Sequence, residues 1–241
     1  MQKTIKHTGC TLLLACALGL AGAAQAAVVF ENLGFGAPPT HVGGIAVTPF
    51  DVVPQAAIVD TTDVSTIPGS PVLGDLTVTP DVEKRTMPGS WNSVWSNGYT
   101  GPIFFAPGEL SLTLTLPPNT TAFYFHAQPD RFGTYTITAT GADGTTSGPV
   151  AITTNSSSAE SDIPGLAFHV TAPGEFISSI TVTVEADAGA FGIAQFGIGT
   201  DAPPVPPAPT VTAVPTLGQW SLLLLGLTAA GLGAARLRRR G

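Results

Sequence analysis

Three stretches of this chain alternate with a strict period of two. Ser111-Leu112-Thr113-Leu114-Thr115-Leu116 places Leu110, Leu112, Leu114 and Leu116 on one face. Thr134-Tyr135-Thr136-Ile137-Thr138-Ala139 and Ser179-Ile180-Thr181-Val182-Thr183-Val184 repeat the pattern. Successive side chains of a strand point to opposite faces, so this spacing with β-branched residues predicts half-buried strands whose threonines face water. Pro117-Pro118-Asn119, Ala172-Pro173-Gly174 and Asp187-Ala188-Gly189 supply turns between them. Asp143-Gly144, between a strand and a Thr-rich run, is a hairpin signature. Helix-period patterns are nearly absent from 27 to 200. The expected fold class is all-β: an antiparallel β-sandwich, jelly-roll-like or immunoglobulin-like, two topologies that the alternation does not separate. No internal repeat points to a solenoid or propeller.

The stretch from Gly34 to Pro102 is less regular and rich in proline and glycine. Strand candidates lie near Val28–Glu31, Ile45–Thr48 and Gly74–Thr79, and long loops packed against the sandwich are expected around them.

All 16 acidic residues of the chain lie between Glu31 and Asp201, where only Lys84, Arg85 and Arg131 are basic. Three bases against 16 acids give this segment a net charge of −13, which the whole-chain value of −7 hides. Such a surface repels nucleic-acid phosphates, so no nucleic-acid partner is expected; the charge itself keeps a protein dispersed. Both cysteines, Cys10 and Cys16, precede Ala27. The segment beyond them has no disulfide, thiol nucleophile or thiolate metal site, and rests on packing and strand pairing.

The two ends read as addresses. Lys3 and Lys6, the apolar stretch Thr11 to Ala24 and the small-x-small site Ala24-Gln25-Ala26 form a secretory signal peptide over 1–26, with signal peptidase cutting between Ala26 and Ala27. A lipid-modified Cys16 is the rival, but it leaves too short an apolar core before the cysteine. At the other end, 201–213 is a Pro-rich linker, stiff and extended at about 3 Å per residue. Leu217 to Ala235 is then an apolar run near the lower limit of the roughly 17–25 residues that span a bilayer. Trp220 stands at an interfacial position, and Arg236, Arg238, Arg239 and Arg240 form a cytoplasmic stop. The expectation is a single-pass membrane helix at about 217–235.

Val214-Pro215-Thr216-Leu217-Gly218-Gln219-Trp220, the apolar helix and the arginine cluster together resemble the IPTL-CTERM sorting signal over 214–241. That signal is similar in layout to the PEP-CTERM signals handled by exosortases in Gram-negative bacteria. The resemblance implies export, transient membrane retention, and processing near the motif by an exosortase-like sorting enzyme. Val214 stands where the family usually has isoleucine. Pro215, Thr216 and Leu217 would be read by that enzyme, as recognition residues of a substrate. Within 27–200, the segments Trp95 to Gly101, Leu112 to Pro117, Ala122 to Pro129 and Phe191 to Ile198 resemble β-sandwich domains found upstream of PEP-CTERM-type signals. This implies an exported β-sandwich module and carries over no active site.

Candidate chemistry in the segment is sparse. His41, His126 and His169 are its histidines, and neither a Gly-x-Ser-x-Gly elbow nor a His-Glu-x-x-His helix accompanies them. His126 shares a strand face with Tyr124 and Gln128, opposite Phe123 and Phe125, and reads as structural or surface. Asp60/Asp63, Asp81/Glu83 and Glu160/Asp162 pair carboxylates without a calcium-loop motif; such pairs are usually solvated, and a structural calcium is the metal reading they leave open. No other cofactor is expected. Trp91, Trp95 and Tyr99 are candidate ligand-binding residues, since loop aromatics stack on sugar rings; plugging one end of the sandwich is preferred, because large aromatics mostly bury. The sequons Asn119-Thr120-Thr121 and Asn155-Ser156-Ser157 are idle in the bacterial setting that the signal implies. The chain therefore reads as a non-enzymatic exported surface or extracellular-matrix protein. Its rivals are a carbohydrate-binding or adhesive module engaging extracellular polysaccharide, and a secreted hydrolase.

Overall fold

The computed structural model describes residues 28–91, 94–155 and 163–201. The chain divides into two compact units, Met1–Pro204 and Val205–Gly241, and every described residue belongs to the first. The expected signal peptide, most of the expected linker, the sorting motif and the helix expected at 217–235 lie outside the described residues, as do Glu160 and Asp162. Among the described residues no helix is long and apolar enough to cross a membrane.

The unit is all-β and antiparallel. Its strands are β1 (Val28–Gly34), β2 (His41–Val42), β3 (Ile45–Ala46), β4 (Thr48–Pro49), β5 (Asp63–Ile67), β6 (Leu76–Met87) and β7 (Gly101–Ala106). They continue with β8 (Ser111–Thr115), β9 (Ala122–Pro129), β10 (Gly133–Gly141), β11 (Val150–Thr154), β12 (Gly165–Val170), β13 (Ser179–Val184) and β14 (Phe191–Gly199). Twelve of the strands form one curled sheet that forks at β6. Residues 83–87 of β6 pair with β7, and residues 77–79 pair with β8. From β7 one arm runs through β14, β9 and β12 to β1; from β8 the other runs through β13 and β10 to β11. The arms curl toward each other until β11 meets β9, which gives the sandwich-like layering that the alternation predicts. Pro80, inside β6, has no N–H to give a ladder. It falls where the β5–β6 register shifts, between the Val64–Val82 and Thr66–Thr77 pairs.

In the β8 arm the period of two holds. Leu112, Leu114, Ile180, Val182, Ile137 and Ala139 are buried. Their threonine neighbours alternate outward and meet across strands, Thr113 with Thr181 at 3.1 Å and Thr134 with Thr153 at 2.9 Å. Leu110 departs from the expected face: it precedes β8 and is 38% exposed. The Asp143-Gly144 turn closes on a Gly141 N–H to Thr145 carbonyl bond, and β10 and β11 pair antiparallel beyond it.

The 34–102 region is more ordered than loops alone. Thr48, expected within one strand from Ile45, belongs to a separate piece, β4, which pairs with β14, while β3 pairs with β2. The 74–79 candidate is the first half of the 12-residue β6. A short helix, α1 (Val52–Ala56), is capped by the Asp51 carboxylate accepting from the Val53 N–H.

Strand β9 is buried on both faces. Phe123 and Phe125 face the core, where Phe123 packs against Phe50 and Phe196 at 6.4 Å between ring centres. Tyr124, His126 and Gln128 lie on the opposite face. There β2, on the 35–50 segment, reaches β9 and β12, and Trp91 contributes a second cover. This covered outer face positions the sites below.

Candidate functional site

β14 supplies a groove for the covering aromatics. Gly192, Ala194, Gly197 and Gly199 pair with Gln128, His126, Tyr124 and Ala122 of β9, so small residues stand beside large ones. A methyl at Gly197 would overlap the Tyr124 ring, and one at Gly192 would come within 2.8 Å of Ile103 and 3.1 Å of Trp91. Between Ala194 and Gly197 the ladder bulges, and Gln195 takes a φ of +54°, an unusual value for a residue with a side chain.

The three aromatics singled out by sequence are brought together. Trp91 and Trp95 meet edge to face at 6.3 Å, and Trp95 meets Tyr99 at 6.1 Å. Both indoles are buried and hydrogen-bonded to glutamines: Trp91 Nε1 donates to Gln128 Oε1 at 2.7 Å, and Trp95 Nε1 to Gln195 Oε1 at 2.9 Å. Their faces are taken by packing within the fold, while Tyr99 is half-buried and donates its hydroxyl to the Pro102 carbonyl at 2.9 Å.

Beside this cluster a half-open pocket of about 150 Å³ opens where β14 bulges away from its neighbours. Its walls include Phe50, Phe196 and Tyr99, and Tyr124, Gln55 and Gln195 are polar residues of its lining. Burial pushes the Tyr124 hydroxyl up to about 12, so it stays protonated. Sequence reasoning missed this pocket. Its residues come from five separate stretches of chain, and only the alternating small residues of β14 opposite Tyr124 hinted at a filled groove.

The histidines are scattered. His41 is exposed, beside the Thr40 hydroxyl at 3.1 Å. His126 is buried rather than on the surface, and its Nδ1 has no partner among the described residues. Burial pushes it down to about 4, against a hydrogen bond with the Gln195 backbone. His169 is lowered by burial as well, with the Glu31 charge pulling the other way from 3.8 Å. The ring of His169 lies where a side chain on Gly43 would stand, and the Gly43 N–H donates to Glu31 at 3.1 Å. Among the described residues neither His126 nor His169 makes a hydrogen bond to a serine hydroxyl.

Of the paired acids, Asp60 is committed to a cation. Lys84, 4% exposed, donates to Asp60 Oδ1 at 2.5 Å and to Thr86 Oγ1 at 2.7 Å. The hydroxyls of Thr86 and Ser90 also donate to the Asp60 carboxylate. Burial would raise Asp60, but hydrogen bonds from Lys84, Ser90 and Thr86, with the Lys84 charge, outweigh it and hold the carboxyl at about 2. Glu83 pairs with Arg85 at 2.6 Å, and the Arg85 guanidinium lies 4.8 Å over the Phe105 ring. Among the described residues no three His, Cys, Asp or Glu side chains gather to hold a metal ion.

Comparison with known proteins locates one feature. A family model described as the IPTL-CTERM motif matches residues 212–239. The match brackets the Val214 to Trp220 motif, the apolar run and the arginines up to Arg239. It implies an exported protein, sorted to the cell surface and handled by an exosortase-like enzyme. No curated protein and no solved structure matches the chain.

Proposed function

We propose that the chain is a non-enzymatic surface or extracellular-matrix protein, delivered as a β-sandwich and processed through its C-terminal signal. The observation that carries this reading is the family match over 212–239. Signal peptidase removes 1–26 on export. The 217–235 helix then holds the protein in the membrane as a single pass, with Arg236, Arg238, Arg239 and Arg240 on the inner side. The Pro-rich linker stands the sandwich off the membrane and leaves room for a sorting enzyme to read Pro215, Thr216 and Leu217. The net −13 of the exported segment suits a dispersed protein outside the cell. Scattered histidines and an Asp60 already paired with Lys84 favour this over a hydrolase.

A truncation after Ala213 in the native host tests it. The full chain should be retained on the cell surface, and the truncated chain should pass into the medium with its sandwich intact. Equal surface retention of both would remove the role given to the signal.

A further inference from the structure

The pocket beside Tyr99 holds three hydrogen-bonding groups that the fold fixes and does not use. Tyr124 is 1% exposed and lines the pocket, and its hydroxyl has no partner among the described residues. Gln195 is oriented by Trp95: an indole N–H only donates, so the amide oxygen must face it. The Gln195 –NH₂ is left over as a donor. Gln55, 2% exposed, is oriented in the opposite sense. Its Nε2 donates to the Pro68 carbonyl at 3.1 Å, which leaves Oε1 as a spare acceptor. The residues that carry this donor, acceptor and hydroxyl all line one pocket walled by Phe50, Phe196 and Tyr99.

Size and charge narrow the ligand. None of the lining residues is charged, so an ion entering the pocket would lose hydration without gaining a partner. A volume of about 150 Å³ takes a single ring. A bare hydrocarbon ring would leave all three polar groups unpaired, which is costly at buried sites. A sugar ring has an apolar face for the aromatic walls and a hydroxyl edge for the polar groups, and the half-open mouth leaves its remaining hydroxyls in water. We infer that this pocket binds one neutral pyranose ring, free or at the end of a glycan, through Tyr124, Gln55 and Gln195. The site is distinct from the buried indoles of Trp91 and Trp95, and it does not depend on how the chain is sorted.

The test uses the purified full chain in a detergent without a sugar head group. Methyl glycosides of neutral hexoses and N-acetylhexosamines, glucuronic acid, benzamide and a neutral oligosaccharide are titrated while tryptophan fluorescence is followed. At least one neutral glycoside should bind saturably, and glucuronic acid should not. Tyr124→Phe should weaken binding about tenfold with an unchanged melting temperature. Val52→Trp, a change at a half-exposed residue of the pocket wall, should abolish it. Tighter binding of the oligosaccharide than of the glycoside identifies a glycan end as the source, and equal binding identifies the free ring. No saturable binding of any neutral glycoside, equal binding by both variants, or a preference for benzamide would overturn the inference.

Discussion

His126 and Asp60 show how single residues tie this fold to pH, in adjoining windows. The His126 imidazole titrates at about 4 in the folded chain against 6.5 when free, because burial disfavours its charged form. A lowered histidine means that the unfolded state binds more protons between those values. Its stabilisation is therefore complete above pH 6.5 and declines as pH falls toward 4, by at most about 3 kcal/mol. His169 is lowered by burial as well, so its contribution also begins to fall below pH 6.5. Asp60 has the depressed value usual for a paired acid, so its contribution is full above 3.8 and is lost as pH falls through about 2. Melting temperature measured from pH 8 to 2 should thus drop in two stages. His126→Gln should flatten the upper stage, with His169 keeping a residual slope; an unchanged upper stage in that variant would contradict the assignment. Neither partnership could be read from the sequence. Asp60 and Lys84 are 24 residues apart, and the acid reads as one of a solvated pair until β6 brings the lysine beneath it.

At the scale of elements, legibility follows burial. Strands β8, β10 and β13 are readable because one face is wet and the other dry, which writes a period of two into the text. Strand β9 carries the pattern Phe123-Tyr124-Phe125-His126, but it is dry on both faces, so its polar members could not be assigned to water or to a cover. The cover itself, made by the 35–50 segment and Trp91, is hidden because its partners lie far away in sequence. Trp91 binds Gln128, and Trp95 reaches Gln195 across 100 positions. Strand β14 shows what such a signal looks like: its small residues make room for rings from elsewhere. Gly197→Ala should cost roughly 1–3 kcal/mol in chemical denaturation, because the Tyr124 ring occupies the space for the methyl. Gly36→Ala meets nothing within 4 Å and should be near neutral. Equal, small effects at both positions would mean that the ring does not rest on β14.

The whole molecule combines a sandwich with a C-terminal sorting signal that lies outside its described residues. The core needs no cysteine, because the forked sheet is continuous through β6 and its two arms close on a shared apolar interior. The function of the sandwich is the least legible part, since a pocket assembled from residues 38 to 196 has no local motif. The destination is the most legible, since a sorting enzyme must recognise a short contiguous stretch, and such a stretch survives as text. The central claim is that this stretch is read and acted on. Intact mass spectrometry of the protein recovered from its native host tests it most directly. The account predicts a chain that starts at Ala27 and has lost the apolar run and Arg236 to Arg240, with any added group visible as excess mass. A product that starts at Ala27 but still ends at Gly241 would contradict it.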